Sequence, residues 1–278
     1  MRRLLAPALA AALAAASTAR AEPYDMDFRK LGDPATDAAK ARFGILSSEM
    51  ALALTGAVLQ PGSTTGHSGF DFALEGYYVG IHPDAAGPGT WPVRAEEAPH
   101  ELFLPSFHVR KAFPFSLEMG GRIIWVSQSS YAAAQVEGKW ALNEGSRHVP
   151  DLAVRVAFTS LFGHRTWNLS TTDLDVTVSK AFPVNGVLTL TPYLAARFTF
   201  MKASTDVMVY ETITPPAAYP NLRSTFYRTT LGVRLKTYAV SIAAEATRFG
   251  GAEEGGDDYP EYDVPSSWGG AARFGFEF

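Results

Sequence analysis

The chain has 278 residues, 24 of them basic and 28 acidic, and no cysteine. The acidic balance argues against a nucleic-acid partner. The lack of cysteine excludes both a lipid-anchored lipoprotein and a disulfide-stapled secreted domain.

Met1-Arg2-Arg3 reads as the positive start of a secretory signal, Leu4 to Ala16 as its apolar body, and Ala19-Arg20-Ala21 as a small-x-small cleavage site. Residues 1–21 are therefore expected to be removed, leaving a mature chain that starts at Glu22. The apolar body is shorter than the roughly 20 residues a spanning helix needs, which speaks against an uncleaved anchor. Taking Arg2, Arg3 and Arg20 from the 24 basic residues leaves 21 against 28 acidic ones, a balance of −7.

Residues 22–67 form a separate N-terminal segment. Its apolar stretch, Phe43 to Leu59, is broken by Ser47, Ser48, Glu49 and Thr55, so a bundle of membrane-spanning helices is excluded. Asp33-Pro34 suits a helix N-cap followed by Pro at the first helical position, and Leu46, Met50, Leu54 and Val58 recur at spacing four. The even-numbered positions also make an apolar strand face, so helix and strand both stay open. The helix is preferred, with Pro61 to His67 as the loop into the first strand.

From Ser68 onward the period is two. In Gly186 to Phe200, Leu188, Leu190, Leu194, Phe198 and Phe200 share one face, while Thr189, Thr191, Tyr193 and Arg197 share the other. Nine further segments read the same way, with polar faces carrying Asp71 and Glu75; Ser106, His108 and Arg110; Glu118 and Arg122; Gln135, Glu137 and Lys139; and Arg155. The rest carry Asp173 and Asp175; Arg228, Arg234 and Lys236; Glu245; and Arg273 and Glu277. The last apolar face is Trp268, Ala272, Phe274, Phe276 and Phe278, so the terminal "AARFGFEF" is a strand and not a tail.

Three features turn the apolar faces outward, toward lipid. Many segments reach the ten or so residues of a tilted membrane strand. Aromatics gather near segment ends, with Trp140, Phe182, Tyr238 and Phe278 at one rim and Trp125, Trp167, Phe200 and Trp268 at the other. Short turns at 112–114, 182–186 and 236–238 alternate with long polar connections at 82–100, 201–221 and 250–267.

A cleavable signal, amphipathic strands and a final strand ending in Phe together resemble bacterial outer-membrane β-barrel proteins. The resemblance implies an all-β, antiparallel, up-and-down transmembrane barrel over 68–278, of about ten strands with twelve as the alternative. It implies that Phe274, Phe276 and Phe278 match the signal read by the barrel-assembly machinery. It also implies residence in the outer membrane as a monomer among lipid. The even count of ten strands lets both ends of the barrel face the periplasm. Residues 22–67 then serve as a plug or as a periplasmic helix.

The inward charges nearly cancel, so a small barrel can pair them across its lumen, and a wide general porin is not expected. Ser106 and His108 share one lumenal face near Asp71 and Glu75, the residue set of a hydrolase and also what a polar lumen contains by chance. His67, His82, His100, His108, His148 and His164 show no ligand spacing, and no metal or cofactor is expected. The acidic run at 253–263 reads as a solvated loop, and the glycines within strands as aids to curvature. Three functions remain open: a narrow or gated passage for small solutes, an envelope scaffold or surface-binding protein acting through its loops, and a lumenal hydrolase.

Overall fold

In the computed structural model the chain is described over residues 22–184, 186–209 and 216–278. The signal-peptide reading falls on 1–21, outside the described residues. Ten antiparallel strands make the wall. They are β1 (Phe70–Gly80), β2 (Glu101–Phe113), β3 (Leu117–Trp125), β4 (Ala132–Asn143), β5 (Asp151–Phe162), β6 (Trp167–Ser179), β7 (Leu188–Thr205), β8 (Leu222–Thr237), β9 (Val240–Phe249) and β10 (Ser267–Glu277).

Each strand pairs with its neighbours in sequence, and β1 pairs with β10 to close the ring, Asp71 opposite Glu277 and Val79 opposite Gly269. Closure leaves no free edge. The chain's last residue belongs to this seam, since Phe70 and Phe278 exchange both backbone hydrogen bonds at 2.6 and 2.9 Å. Its ring lies 5.8 Å from that of Phe72. Phe274 and Phe276 point outward, about half exposed.

The alternation read from the sequence is the alternation of the wall. Along β7, Leu194, Phe198 and Phe200 are exposed, while Thr191, Tyr193, Arg197 and Thr199 are buried inside. So extensive an exposed apolar belt around a polar interior is the inside-out arrangement of a transmembrane barrel.

One aromatic departs from its expected place. Trp167 faces inward, 2% exposed, with its ring 5.2 Å from that of Phe28. The glycines also do more than allow curvature. Tyr193 lies directly opposite Gly232, where a Cβ would sit 2.2 Å from its ring. Tyr77 covers Gly269 of β10 in the same way.

The N-terminal segment contains a 3-10 turn, Phe28–Leu31, and one α-helix, α1, Asp37–Leu54. The helix begins later than Asp33-Pro34 suggested. Thr36 is its N-cap, accepting the Ala39 N–H, while the Asp33 carboxylate holds the preceding turn through the Ala35 N–H. From Phe43 to Leu54 every residue is buried, so α1 has no polar face. That is why its 3.6-residue signal was weak and a strand reading stayed open.

Candidate functional site

The lumen is the site where the chain's chemistry collects, and it has two storeys. Toward the long loops the inward wall positions are apolar: Tyr77, Val79, Leu102, Leu104, Ile124, Leu161, Leu169, Met201 and Phe226, all under 8% exposed. This is the bed of α1, whose Phe43, Leu46 and Met50 are sealed within the same cluster. Toward the short turns the inward positions are the charged residues. The charged set follows from the polar faces of the strands, and the apolar set shows in the sequence only as a loss of polarity on the inward face near the strand ends.

The charged storey is densely paired. Asp71 lies between Arg110 and Arg273. Glu75 meets Arg122 at 2.9 Å and His108 at 3.0 Å. Glu137 meets Arg155 and His108, and Asp175 meets Arg155 and Arg197. Glu118 bridges Arg110 and Lys139 at 3.2 and 3.3 Å, and Glu277 bridges Arg234 and Lys236 at 3.2 and 2.6 Å. Asp173 accepts the Thr199 hydroxyl at 2.6 Å. An ion left alone in so dry a place costs several kcal/mol, and the alternating signs on adjacent strands avoid that cost.

The chain threads both storeys. At the long-loop rim the Tyr24 N–H donates to the Gln128 carbonyl at 3.0 Å, and Met26 bridges to Val93. The helix descends, and Arg228 of β8 donates to the carbonyls of Leu52 and Thr55 at 2.8 and 3.0 Å. Below the helix the wall grips main chain. Glu245 accepts the N–H groups of Val58 and Leu59, both at 2.7 Å, and Arg122 donates to the Ala57 carbonyl at 3.1 Å. Ser179 accepts the Gly62 N–H at 2.9 Å, and Lys139 donates to the Ser63 carbonyl at 3.0 Å.

Side-chain contacts complete the passage. Gln60 joins Arg110, Lys139 and Glu137. Thr64 and Thr65 reach the other rim, on Glu144 and Glu118. Hence Glu22 to Leu31 lie at the long-loop rim, while the first wall strand starts and the last one ends together at the opposite rim, as an even strand number requires.

The loops are part of the closure. The connection after β9 forms a two-stranded hairpin, Ala252–Gly256 with Tyr259–Val264, and its buried Tyr259, Tyr262 and Val264 cover α1. Tyr219, from the β7–β8 connection, stacks on Phe43 with ring centroids 4.6 Å apart. Glu49 of α1 accepts the Trp91 indole N–H at 2.5 Å and the His82 N–H at 2.9 Å, tying the helix to the β1–β2 connection.

Ser106 and His108 are both buried, but no hydrogen bond joins them. Ser106 donates to Glu75 at 3.4 Å, and His108 is held between Glu75 and Glu137. A nucleophile needs its base within hydrogen-bond reach, so the arrangement reads as part of the ion-pair network. Among the described residues, no group of three or more His, Asp or Glu side chains is placed to hold a metal ion.

Comparison with known proteins finds no matching family and no matching characterised protein. Solved structures of similar fold include Neisserial surface protein A (NspA), at 12% identity and a TM-score of 0.33 over 75% of this chain and 97% of that one. They include the translocator domain of autotransporter NalP from Neisseria meningitidis, at 11% and 0.38 over 89% and 100%. The KdgM porin in complex with oligogalacturonate matches at 10% and 0.32 over 76% and 98%. At such identities and scores these likenesses carry no argument about role; the barrel stands on its own strand register.

Proposed function

We propose that this chain is an outer-membrane β-barrel whose lumen is permanently occupied, and that it serves as an envelope scaffold presenting its loop rim to a partner. The observation that supports this reading is the charged storey. Its side chains are bonded to one another and to the main chain of residues 52–65, and the carboxylates and guanidiniums are all under 10% exposed. A water-filled porin needs such groups solvated. The rim carries a polar cleft of about 540 Å³, lined by Lys30, Asp84, Trp91, Glu96, Glu97 and His100, where a partner has both charge and shape to meet.

Reconstituted full-length protein is expected to give no conductance steps in planar bilayers. Steps in the intact protein would overturn the sealed-scaffold reading. The outer-membrane address is tested by fractionation with boiled and unboiled gel samples, where a closed barrel shifts only on heating.

A second reading, a gated passage for small solutes, has one observation in its favour. Several wall anchors go to main-chain atoms below α1, and water can replace such bonds without touching the barrel's own ladders. Deleting residues 22–60 is then expected to raise solute uptake and conductance, and unchanged values in a folded barrel would remove this reading.

A further inference from the structure

The outward face of β6, β7 and β8 changes character over four residue steps. The row Leu174–Phe198–Tyr227 is apolar and aromatic, and the next, Thr172–Phe200–Thr225, is mixed. The next row toward the long loops is Ser170–Lys202–Arg223, with Asn168–Ser204 beyond it. Lys202 and Arg223 are direct partners across the β7–β8 ladder, and both are exposed. Like charges placed opposite each other destabilise a strand pair unless something negative lies between them.

Among the described residues neither cation forms an ion pair, in contrast to the paired guanidiniums of the charged storey. The Glu254 carboxylate accepts from the Ser224 hydroxyl and the Thr225 N–H. A hollow of about 380 Å³ opens beside Arg223, lined also by Phe200, Met201, Ser224, Thr225 and the same Glu254.

The height of the row names the ligand. From Leu190 to Phe200 the outward face of β7 runs ten residue steps, about 33 Å along the strand and about 25 Å across the membrane at a tilt of about 40°. That is the thickness of the apolar band of such a barrel, so Lys202 and Arg223 stand two residue steps beyond it, at the level of lipid headgroups.

We propose that Lys202 and Arg223, with Ser170 beside them, form a binding site for the phosphate of an anionic membrane lipid on the loop-side leaflet. The proposal rests on the reading that the outer surface faces lipid. The phosphate neutralises the two opposed cations, the hydroxyl of Ser170 completes its hydrogen bonds, and the acyl chains lie along Phe198, Phe200 and Tyr227.

The test uses the full chain and the double variant Lys202→Gln/Arg223→Gln, each folded into phosphatidylcholine vesicles with or without phosphatidylglycerol. The readout is the temperature at which the folded gel band disappears. Phosphatidylglycerol is expected to raise the midpoint of the native protein by about 2–4 °C and to leave that of the variant unchanged. In pure phosphatidylcholine the variant is expected to match or exceed the native protein, because the opposed charges are gone.

An equal response of the two proteins to phosphatidylglycerol, or no response in the native one, overturns the site while leaving the membrane reading intact. A rise produced by inorganic phosphate in phosphatidylcholine alone overturns the assignment to lipid. Failure of the native protein to insert into either vesicle overturns the membrane reading itself, and the site with it.

Discussion

Arg228 and Thr55 meet in mid-lumen, where the guanidinium donates to the Thr55 carbonyl at 3.0 Å and to its hydroxyl at 2.5 Å. Thr55 is the C-cap of α1, so a wall cation lies at the negative end of the helix, and the helix end finds its hydrogen bonds in the barrel instead of in water. Among the described residues no carboxylate forms an ion pair with Arg228, whose partners are the plug and Thr199. Replacing it with Ala leaves buried carbonyls without donors. The expected loss is about 3 kcal/mol, read as an earlier heat-induced band shift, and Arg228→Lys should lose less. An Ala variant as stable as the native protein would show that the plug does not depend on this cap.

The direction of threading can be read with single cysteines, because the chain has none of its own. Ala38→Cys at the exposed start of α1 and Asp258→Cys at the hairpin tip are expected to react with an impermeant maleimide on whole cells. Tyr238→Cys, in the short turn between β8 and β9, should react only after permeabilisation. Labelling of Asp258→Cys without Ala38→Cys would show that the segment enters from the other rim.

Gly44 of α1 touches the hairpin lid so closely that a Cβ would stand 2.5 Å from the Tyr262 ring. In an isolated helix Gly→Ala gains about 1 kcal/mol, yet here it should lift the lid. Limited proteolysis is expected to cut Gly44→Ala within 252–264 faster than the native protein. The pair Gly44→Ala/Tyr262→Ala should behave no worse than Tyr262→Ala alone.

His108 bridges two buried carboxylates, so His108→Ala should lower the heat midpoint, as loss of a buried partner does, by an amount on the order of 3 kcal/mol. Esterase activity should be absent before and after the change. A measurable activity that disappears with His108 would restore the hydrolase reading.

The N-terminal clasp at the loop rim should fail in strong acid. Burial raises the Asp25 carboxyl, but hydrogen bonds from the Ser130 hydroxyl and N–H and from the Glu22 N–H, with Arg94 nearby, outweigh it and hold the net shift downward. A carboxylate lowered by folding contributes stability above its unfolded value of about 3.9, and that contribution is lost as pH falls through the folded value. Protease sensitivity of residues 22–36 should therefore be flat from neutral pH to about pH 5 and rise below about pH 4. Asp25→Asn should be sensitive throughout.

The wall of this protein is legible residue by residue because its constraint is local. Lipid on one side and a polar lumen on the other demand opposite polarity at successive positions, so β1 to β10 follow from alternation, and strand length, aromatic rims and loop asymmetry turn Phe274 and Phe276 outward. The inward orientation of Asp71, Arg155 or Asp175 follows in the same way. Partners do not follow, because Arg155 has acids on both neighbouring strands and only register selects among them.

The N-terminal segment is the reverse case. A helix enclosed on every side has no polar face to announce itself, and the direction in which a segment crosses a ring leaves no mark in its own sequence. The apolar positions of Tyr77, Leu104 and Leu169 make sense only once α1 lies among them, and Trp167 turns inward because Phe28 is there to meet it. Alternation is set by what each strand faces and was written in the chain. The filling of the lumen is set by contacts between residues far apart in sequence, and only the closed structure decided it.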